Sequence, residues 1–99
     1  MTLDGYQERA GATDWCHPVD YYVHGLCSEA GEVAAVRKRE LRGDWDAGDM
    51  RKEIGDVLWY VARLAEQYAM SLDDVAQVNL DKLRARAEAG TIAGKGDER

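Results

Sequence analysis

The sequence is poor in cysteine and proline and contains no long apolar run. It has two cysteines and one proline among 99 residues. Cys16 and Cys27 are too few and too irregularly placed for a disulfide framework or a thiolate zinc site, so a reducing, cytoplasmic setting is the simplest expectation. No stretch approaches the roughly 18 apolar residues of a membrane span, and the N-terminus lacks the apolar segment of a signal peptide. We therefore expect a soluble protein with no membrane partner.

An excess of positive charge is also missing. The chain has 13 Lys and Arg against 19 Asp and Glu, which gives a formal net charge of −6. A surface that binds DNA or RNA is usually basic, so this composition argues against a nucleic-acid polymer as partner. An acidic protein can still bind a nucleotide where a metal ion supplies positive charge locally. The length predicts one domain over residues 1–99.

Helix signals dominate the chain, and strand signals are nearly absent. Pro18 suits the first turn of a helix, where its missing N–H costs nothing. The segment 71–74 resembles a capping box with Asp in place of Glu. The predicted helices cover residues 3–13 (ending near Gly11), 18–42, 47–69 and 71–89, and they precede a Gly-rich tail at about 90–99. We predict an all-α chain of four to five helices whose bundle is completed by a homodimer or homotetramer.

Two acidic pairs share one spacing. Glu29 and Glu32 are three residues apart, and so are Glu53 and Asp56. On a helix, each pair projects from nearly the same side, and the repulsion costs roughly 0.2–0.5 kcal/mol per pair on an isolated helix. Four carboxylates from two packed helices would suit a hard cation such as Mg²⁺, with Mn²⁺ as a substitute. The spacing therefore predicts a metal site, against the alternative of solvated surface charges.

The four carboxylates are not equivalent in their helical positions. Glu29 falls inside the apolar stripe of its predicted helix, whereas Glu32 and Glu53 border their stripes. Asp56 lies well round from the centre of its stripe, although aromatic residues near it suggest that this side is covered. Glu29 is therefore the member with the most unusual placement.

Gly31 and Gly55 lie inside the two acidic pairs. A glycine within a helix costs roughly 0.5–1 kcal/mol relative to Ala, so two in equivalent places predict either a close helix crossing or a short reach from metal to carboxylate. The histidines do not suit a ferritin-like di-iron site, since neither His17 nor His24 stands three residues after a Glu. A cation bound by oxygen ligands remains.

The segments 25–33 and 52–60 carry these acidic pairs and closely resemble the MazG-like all-α nucleoside triphosphate pyrophosphohydrolases. The hallmark of that family is a Glu-x-x-Glu pair followed by Glu-x-x-Asp. The likeness continues through residues 79–86 and into the Gly-rich tail, so it covers about residues 6–99 and is closest to single-domain bacterial or phage members. The resemblance implies Mg²⁺-dependent hydrolysis of a nucleoside triphosphate between the α- and β-phosphates, as in the house-cleaning of nucleotide pools.

The resemblance also implies roles for individual residues. By analogy, Glu29, Glu32, Glu53 and Asp56 hold the metal and carry the catalysis, and Glu29 is our choice for the base that activates water, because burial would raise its pKa. Separately from the resemblance, the residues themselves predict further contacts with the substrate. The predicted phosphate contacts are Asn79, Lys82, Arg86, Lys38, Lys95 and Arg99, and the predicted base contacts are Trp15, Tyr22 and Gln7. For the cations, an ordinary solvated face is the alternative.

Two further functions stay open at this stage. A phosphoribosyl-ATP pyrophosphohydrolase has the same kind of helical acidic core, although its usual surrounding motifs are not evident here. A non-catalytic helical module for oligomerisation or regulation would use the acidic residues only for solvation or salt bridges. Neither the preferred nucleotide nor the number of metal ions follows from the sequence.

Overall fold

The computed structural model describes residues 1–44 and 48–90, which form four α-helices and no strand. The helices are α1 (Leu3–Gly11), α2 (Val19–Leu41), α3 (Met50–Gln67) and α4 (Leu72–Glu88). The all-α prediction is therefore confirmed, and each described helix end lies within a few residues of its predicted position. The predicted start of the third helix at residue 47 and the tail residues 91–99 lie outside the described residues.

Side-chain caps mark the starts of α1, α3 and α4. The Thr2 hydroxyl accepts the backbone N–H of Gly5 at 2.9 Å, and the Ser71 hydroxyl accepts that of Asp74 at 3.1 Å. Asp49 similarly caps α3. Each cap satisfies a donor that the first turn of a helix leaves without a partner.

The apolar core lies where α1, α3 and α4 meet, while α2 packs mainly along α3. Its fully or nearly buried members are Ala62, Ala65 and Leu72, with Tyr6, Val61 and Val75 packed against them. Several large apolar side chains remain exposed, including Ile54, Val78 and Leu80. None of the helices in the described ranges is long and apolar enough to cross a bilayer. The assembly into a dimer or tetramer stays a prediction.

Gln7 joins α1 to the turn between α3 and α4. Its amide nitrogen donates to the carbonyl oxygens of Ala62 at 3.3 Å and Met70 at 3.0 Å, and its amide oxygen accepts the N–H of Leu72 at 2.9 Å. The side chain is buried, with 5% of its surface exposed. Gln7 therefore stabilises the fold, and it presents no free amide group to a nucleobase in this structure.

Asp14 and Arg63 form a buried ion pair beneath the loop that follows α1. Arg63 Nε donates to Asp14 Oδ2 at 2.9 Å, and the exposed fractions of the two side chains are 9% and 1%. The Tyr22 hydroxyl also donates to Asp14 and accepts the backbone N–H of His17. Tyr22 has no exposed surface. Since no ring face is open to a base, the structure gives Tyr22 a structural position rather than the predicted place in a base pocket.

Close approach of helices occurs at Gly25, not at the glycines inside the acidic pairs. A Cβ atom on Gly25 would lie 2.1 Å from Cε1 of Tyr60, whereas a Cβ on Gly31 or Gly55 would meet nothing within 4 Å. The expectation that Gly31 and Gly55 mark a helix crossing is therefore wrong for the single chain. The reason is geometric, because both glycines face away from the α2–α3 contact.

We expect Gly25→Ala to lower the free energy of unfolding by about 1–3 kcal/mol, because the new methyl group forces the Tyr60 ring to move. The matched substitution Gly31→Ala should raise it by about 0.5–1 kcal/mol, since it removes a helical glycine where space is open. Urea denaturation of both variants measures the two effects. A Gly25→Ala variant as stable as the parent chain would contradict this packing.

Candidate functional site

Three carboxylates converge where α2 packs against α3. Glu29 comes from α2, and Glu53 and Asp56 come from α3. One oxygen from each lies within 4.8 Å of the others. Glu29 and Glu53 are half-buried and Asp56 is exposed. A group of carboxylate oxygens at this separation, with no histidine or cysteine among them, has the donor chemistry of a site for a hard divalent cation.

Glu32 lies outside this group. Its side chain is exposed on α2, one turn beyond Glu29. Of the four predicted carboxylates, three thus converge in this structure, and Glu32 lies near them. Glu32 is still close enough for its charge to contribute to raising the pKa of Glu29.

The electrostatics of the group favour a bound cation. The pKa of Glu29 is raised, first by burial and then by the negative charges of Asp56, Glu53 and Glu32. Like charges that approach one another disfavour ionisation, and a divalent cation among them would reverse this effect. Burial and this repulsion therefore both disfavour the ionised form of Glu29 when no cation is bound.

Aromatic side chains form one wall of the site. A cavity of about 360 Å³ is lined by Thr13, Glu29, Asp56, Trp59 and Tyr60. A hydrogen bond with Tyr21, burial, and the negative charges around it raise the pKa of Tyr60 to about 12. The hydrogen bond with Tyr21 favours the neutral phenol of Tyr60, whose single O–H proton is directed to Tyr21.

Trp59 fixes the loop after α1 against this wall. Its Nε1 donates to Oγ1 of Thr13 at 2.9 Å, and that hydroxyl donates to the carbonyl oxygen of Ala10 at 2.7 Å. Neither Thr13 nor Tyr60 was among the predicted site residues. A signal for the aromatic wall does exist, because positions 59 and 60 follow Asp56 by three and four residues on α3 and so share its side of the helix.

The other predicted contacts lie elsewhere. Asn79 and Lys82 are exposed on α4, Arg86 is partly buried there, and Lys38 is exposed on α2. Trp15 has 90% of its surface exposed in the loop between α1 and α2. These side chains do not line the carboxylate cavity, and Lys95 and Arg99 lie outside the described residues. All of these assignments stay predictions.

Comparison with known families identifies the family to which these acidic helices belong. The model of the MazG nucleotide pyrophosphohydrolase domain matches residues 19–91, which contain α2, α3, α4 and all four acidic residues. The chain belongs to the MazG family. The resemblance inferred from the two acidic pairs is thereby confirmed. Membership in the MazG family supports a hydrolase that acts on nucleotides.

Two relatives of this MazG-family chain have names that state no activity. The chain is 43% identical over 97 residues to the Gene 37 protein of Mycobacterium phage L5, a match that covers 91% of this chain and 84% of that protein. It is 36% identical over 74 residues to the uncharacterized protein YvdC of Bacillus subtilis (strain 168), covering 64% of this chain and 70% of the relative. No solved structure matches the chain.

Proposed function

We propose that this chain is a Mg²⁺-dependent hydrolase that cleaves nucleoside triphosphates between the α- and β-phosphates. The products would be a nucleoside monophosphate and pyrophosphate. The observation that carries the proposal is the convergence of Glu29, Glu53 and Asp56 from two helices, in a chain of the MazG family. Mg²⁺ typically takes only part of its coordination from carboxylates and leaves other positions to water and phosphate. The exposure of Asp56 keeps the group open to a substrate.

The residues present fit such an ion. The donors are all carboxylate oxygens, and the repulsion among them raises the pKa of Glu29. Glu29, Glu53 and Asp56 would hold the ion, with Glu32 as a fourth ligand because it lies one turn from Glu29 and its exposed side chain can rotate. A bound divalent ion neutralises phosphate charge and lowers the pKa of a coordinated water. Mn²⁺ accepts the same donors and should substitute.

The chain's own residues supply the proton transfer and the positioning. Glu29 is our choice for the base that accepts a proton from the attacking water, because it is half-buried and lines the cavity. Tyr60 lines the same cavity, and its neutral phenol adds no negative charge beside the carboxylates. The ring of Trp59 adds an aromatic surface to one side of this cavity.

A panel of canonical and damaged nucleoside triphosphates, incubated with Mg²⁺ and with products separated, tests this function. We expect at least one nucleotide to yield its monophosphate and pyrophosphate, with the rate abolished by EDTA and restored by Mg²⁺ or Mn²⁺. Mg²⁺ should also raise the melting temperature of the chain, since a ligand that binds only the folded state stabilises it. No turnover across the panel, or turnover that survives EDTA, would overturn the proposal.

We further propose that the chain self-associates as a homodimer or homotetramer. The support is the small core and the exposed apolar side chains, which include Ile54, Val78 and Leu80. Scattered exposed apolar residues are normal on a monomer, so the assembly has to be measured directly. Light scattering should give a mass that is a multiple of the 11.0 kDa chain, whereas a mass of 11.0 kDa would contradict the assembly.

A further inference from the structure

A second cavity adjoins the carboxylate cavity between α1 and α3. Its volume is about 420 Å³, and it is lined by Met1, Tyr6, Arg9, Ala10, Thr13 and Trp59. Thr13 and Trp59 line both cavities and are joined by the 2.9 Å hydrogen bond between Nε1 and Oγ1. The two cavities therefore meet at this pair of residues.

A separate observation links the second cavity to the acidic group. The pKa of Tyr6 is raised by burial and also by the negative charge of Asp56. Tyr6 therefore lies within electrostatic reach of a carboxylate at the site. A ligand with its phosphates at the carboxylates can extend into this neighbouring cavity.

The lining of the second cavity suits a planar aromatic ligand. Tyr6, Arg9 and Thr13 lie on one side of the chain's first helix and the loop after it, at spacings of three and four residues, and they face Trp59 of α3. Aromatic rings and a guanidinium plane stack on nucleobases. Arg9 is the only charged side chain in this lining. The cavity thus combines ring surfaces with one guanidinium.

The chemistry of Arg9 distinguishes between bases. A guanidinium has five N–H donors and no acceptor, so it pairs with carbonyl oxygens and with the O6 and N7 atoms of guanine. At the corresponding position adenine and cytosine carry amino donors, which cannot pair with a guanidinium, so adenine keeps only its N7 acceptor at this edge. A base that carries an oxygen at this edge is therefore favoured.

We propose that this second cavity is the pocket for the nucleobase and that Arg9 makes it select oxo bases (guanine, uracil and thymine) over the amino bases adenine and cytosine. This inference rests on the proposed function, because it requires a nucleotide whose phosphates lie at Glu29, Glu53 and Asp56. It replaces Tyr22 and Gln7, which are buried in the fold, with Tyr6 and Trp59 as the residues in contact with the base.

The test compares kcat/KM of the full chain for dGTP against dATP and for dUTP against dCTP. The parent chain should prefer the oxo base in each pair. Arg9→Ala should lower kcat/KM for the oxo bases by about tenfold more than for the amino bases, as expected for the loss of hydrogen bonds from a charged group. Arg9→Lys should retain part of the preference, because it keeps the charge but lacks the planar fork. Arg84→Ala, an exposed arginine of α4 outside this lining, is the control and should leave all four values unchanged.

The outcomes separate the inference from the function on which it rests. If Arg9→Ala turns over nucleotides with the ratios of the parent chain, the base pocket is wrong and the hydrolase stands. If the parent chain turns over none of the four nucleotides, the proposed function is overturned and this inference with it. If Arg9→Ala lowers all four values equally and changes the mass measured by light scattering, the cavity is an interface between copies of the chain, which also overturns the base pocket.

Discussion

Replacing Glu53 with glutamine should reduce the rate of pyrophosphate release by at least about 100-fold, since even the loss of outer-shell partners of a metal ligand costs 10–100-fold. Glu53 shares the convergent group with Glu29 and Asp56, and the amide keeps the shape of the side chain but removes its charge. A steady-state assay of pyrophosphate, at a Mg²⁺ concentration that saturates the parent chain, measures the effect. Repeating the assay of the variant at higher Mg²⁺ concentrations shows whether weaker metal binding accounts for the loss.

This variant should fold as well as the parent chain. Glu53 is half-buried beside two other carboxylates, so the loss of its charge relieves repulsion, and the free energy of unfolding without metal should stay the same or rise. The stabilisation by Mg²⁺ should disappear. Glu66→Gln is the matched control, because Glu66 is an exposed residue of α3 outside the convergent group. A Glu53→Gln chain that turns over nucleotides like the parent would show that the site is assigned wrongly.

Replacing Asp14 with alanine should lower the free energy of unfolding by about 3–5 kcal/mol, the usual cost of removing one partner from a buried ion pair. Arg63 would keep a buried guanidinium without its carboxylate, and the Tyr22 hydroxyl and the Cys16 backbone N–H would lose their acceptor. Urea unfolding followed by circular dichroism measures the change.

An exposed ion pair provides the control for this experiment. Arg84 and Asp81 lie 2.7 Å apart on α4, with 68% and 52% of their side chains exposed. Asp81→Ala should therefore change the free energy of unfolding by no more than about 0.5 kcal/mol. Similar losses in the Asp14→Ala and Asp81→Ala variants would contradict the buried network.

The contribution of Asp14 should also depend on pH. Burial alone would raise its pKa, but hydrogen bonds from Tyr22 and Arg63 outweigh burial and hold the pKa below the ordinary value of 3.8. Its stabilisation is therefore complete above that value and is lost as the pH falls through the lower pKa of the folded state. Between roughly pH 5 and pH 2, the parent chain should lose more stability than Asp14→Asn does. Equal losses in the two chains would contradict the lowered pKa.

The helices and the acidic group follow from local features of the sequence. Pro18 and Ser71 mark helix starts through backbone chemistry that acts within one turn, so the structure places α2 and α4 where they were expected. Glu29, Glu53 and Asp56 occupy a repeated spacing on consecutive helices, and the pairing of these helices brings the three together. Glu32 has the same three-residue spacing but lies outside the convergent group, because the direction of a long exposed side chain depends on its rotamer.

The aromatic wall and the buried network depend on contacts between distant residues. Trp59 and Thr13 are 46 positions apart, and no periodicity along α3 shows that the loop after α1 returns to it. The sequence of Tyr22 and its neighbours does not distinguish a base contact from a buried position. In the structure, the Tyr22 hydroxyl donates a hydrogen bond to Asp14, and this contact holds the ring in the interior. The close helix approach expected at Gly31 occurs at Gly25 instead, because the Tyr60 ring faces Gly25 and leaves no room there for a Cβ atom.

The most direct test of the central claim is a ³¹P NMR spectrum of a nucleoside triphosphate incubated with the chain and Mg²⁺. Carboxylates that hold a Mg²⁺-bound triphosphate for cleavage between the α- and β-phosphates should yield nucleoside monophosphate and pyrophosphate in equal amounts. The Glu53→Gln chain should leave the triphosphate signals unchanged over the same time. Signals of nucleoside diphosphate and orthophosphate, or equal conversion by the Glu53→Gln chain, would contradict the account.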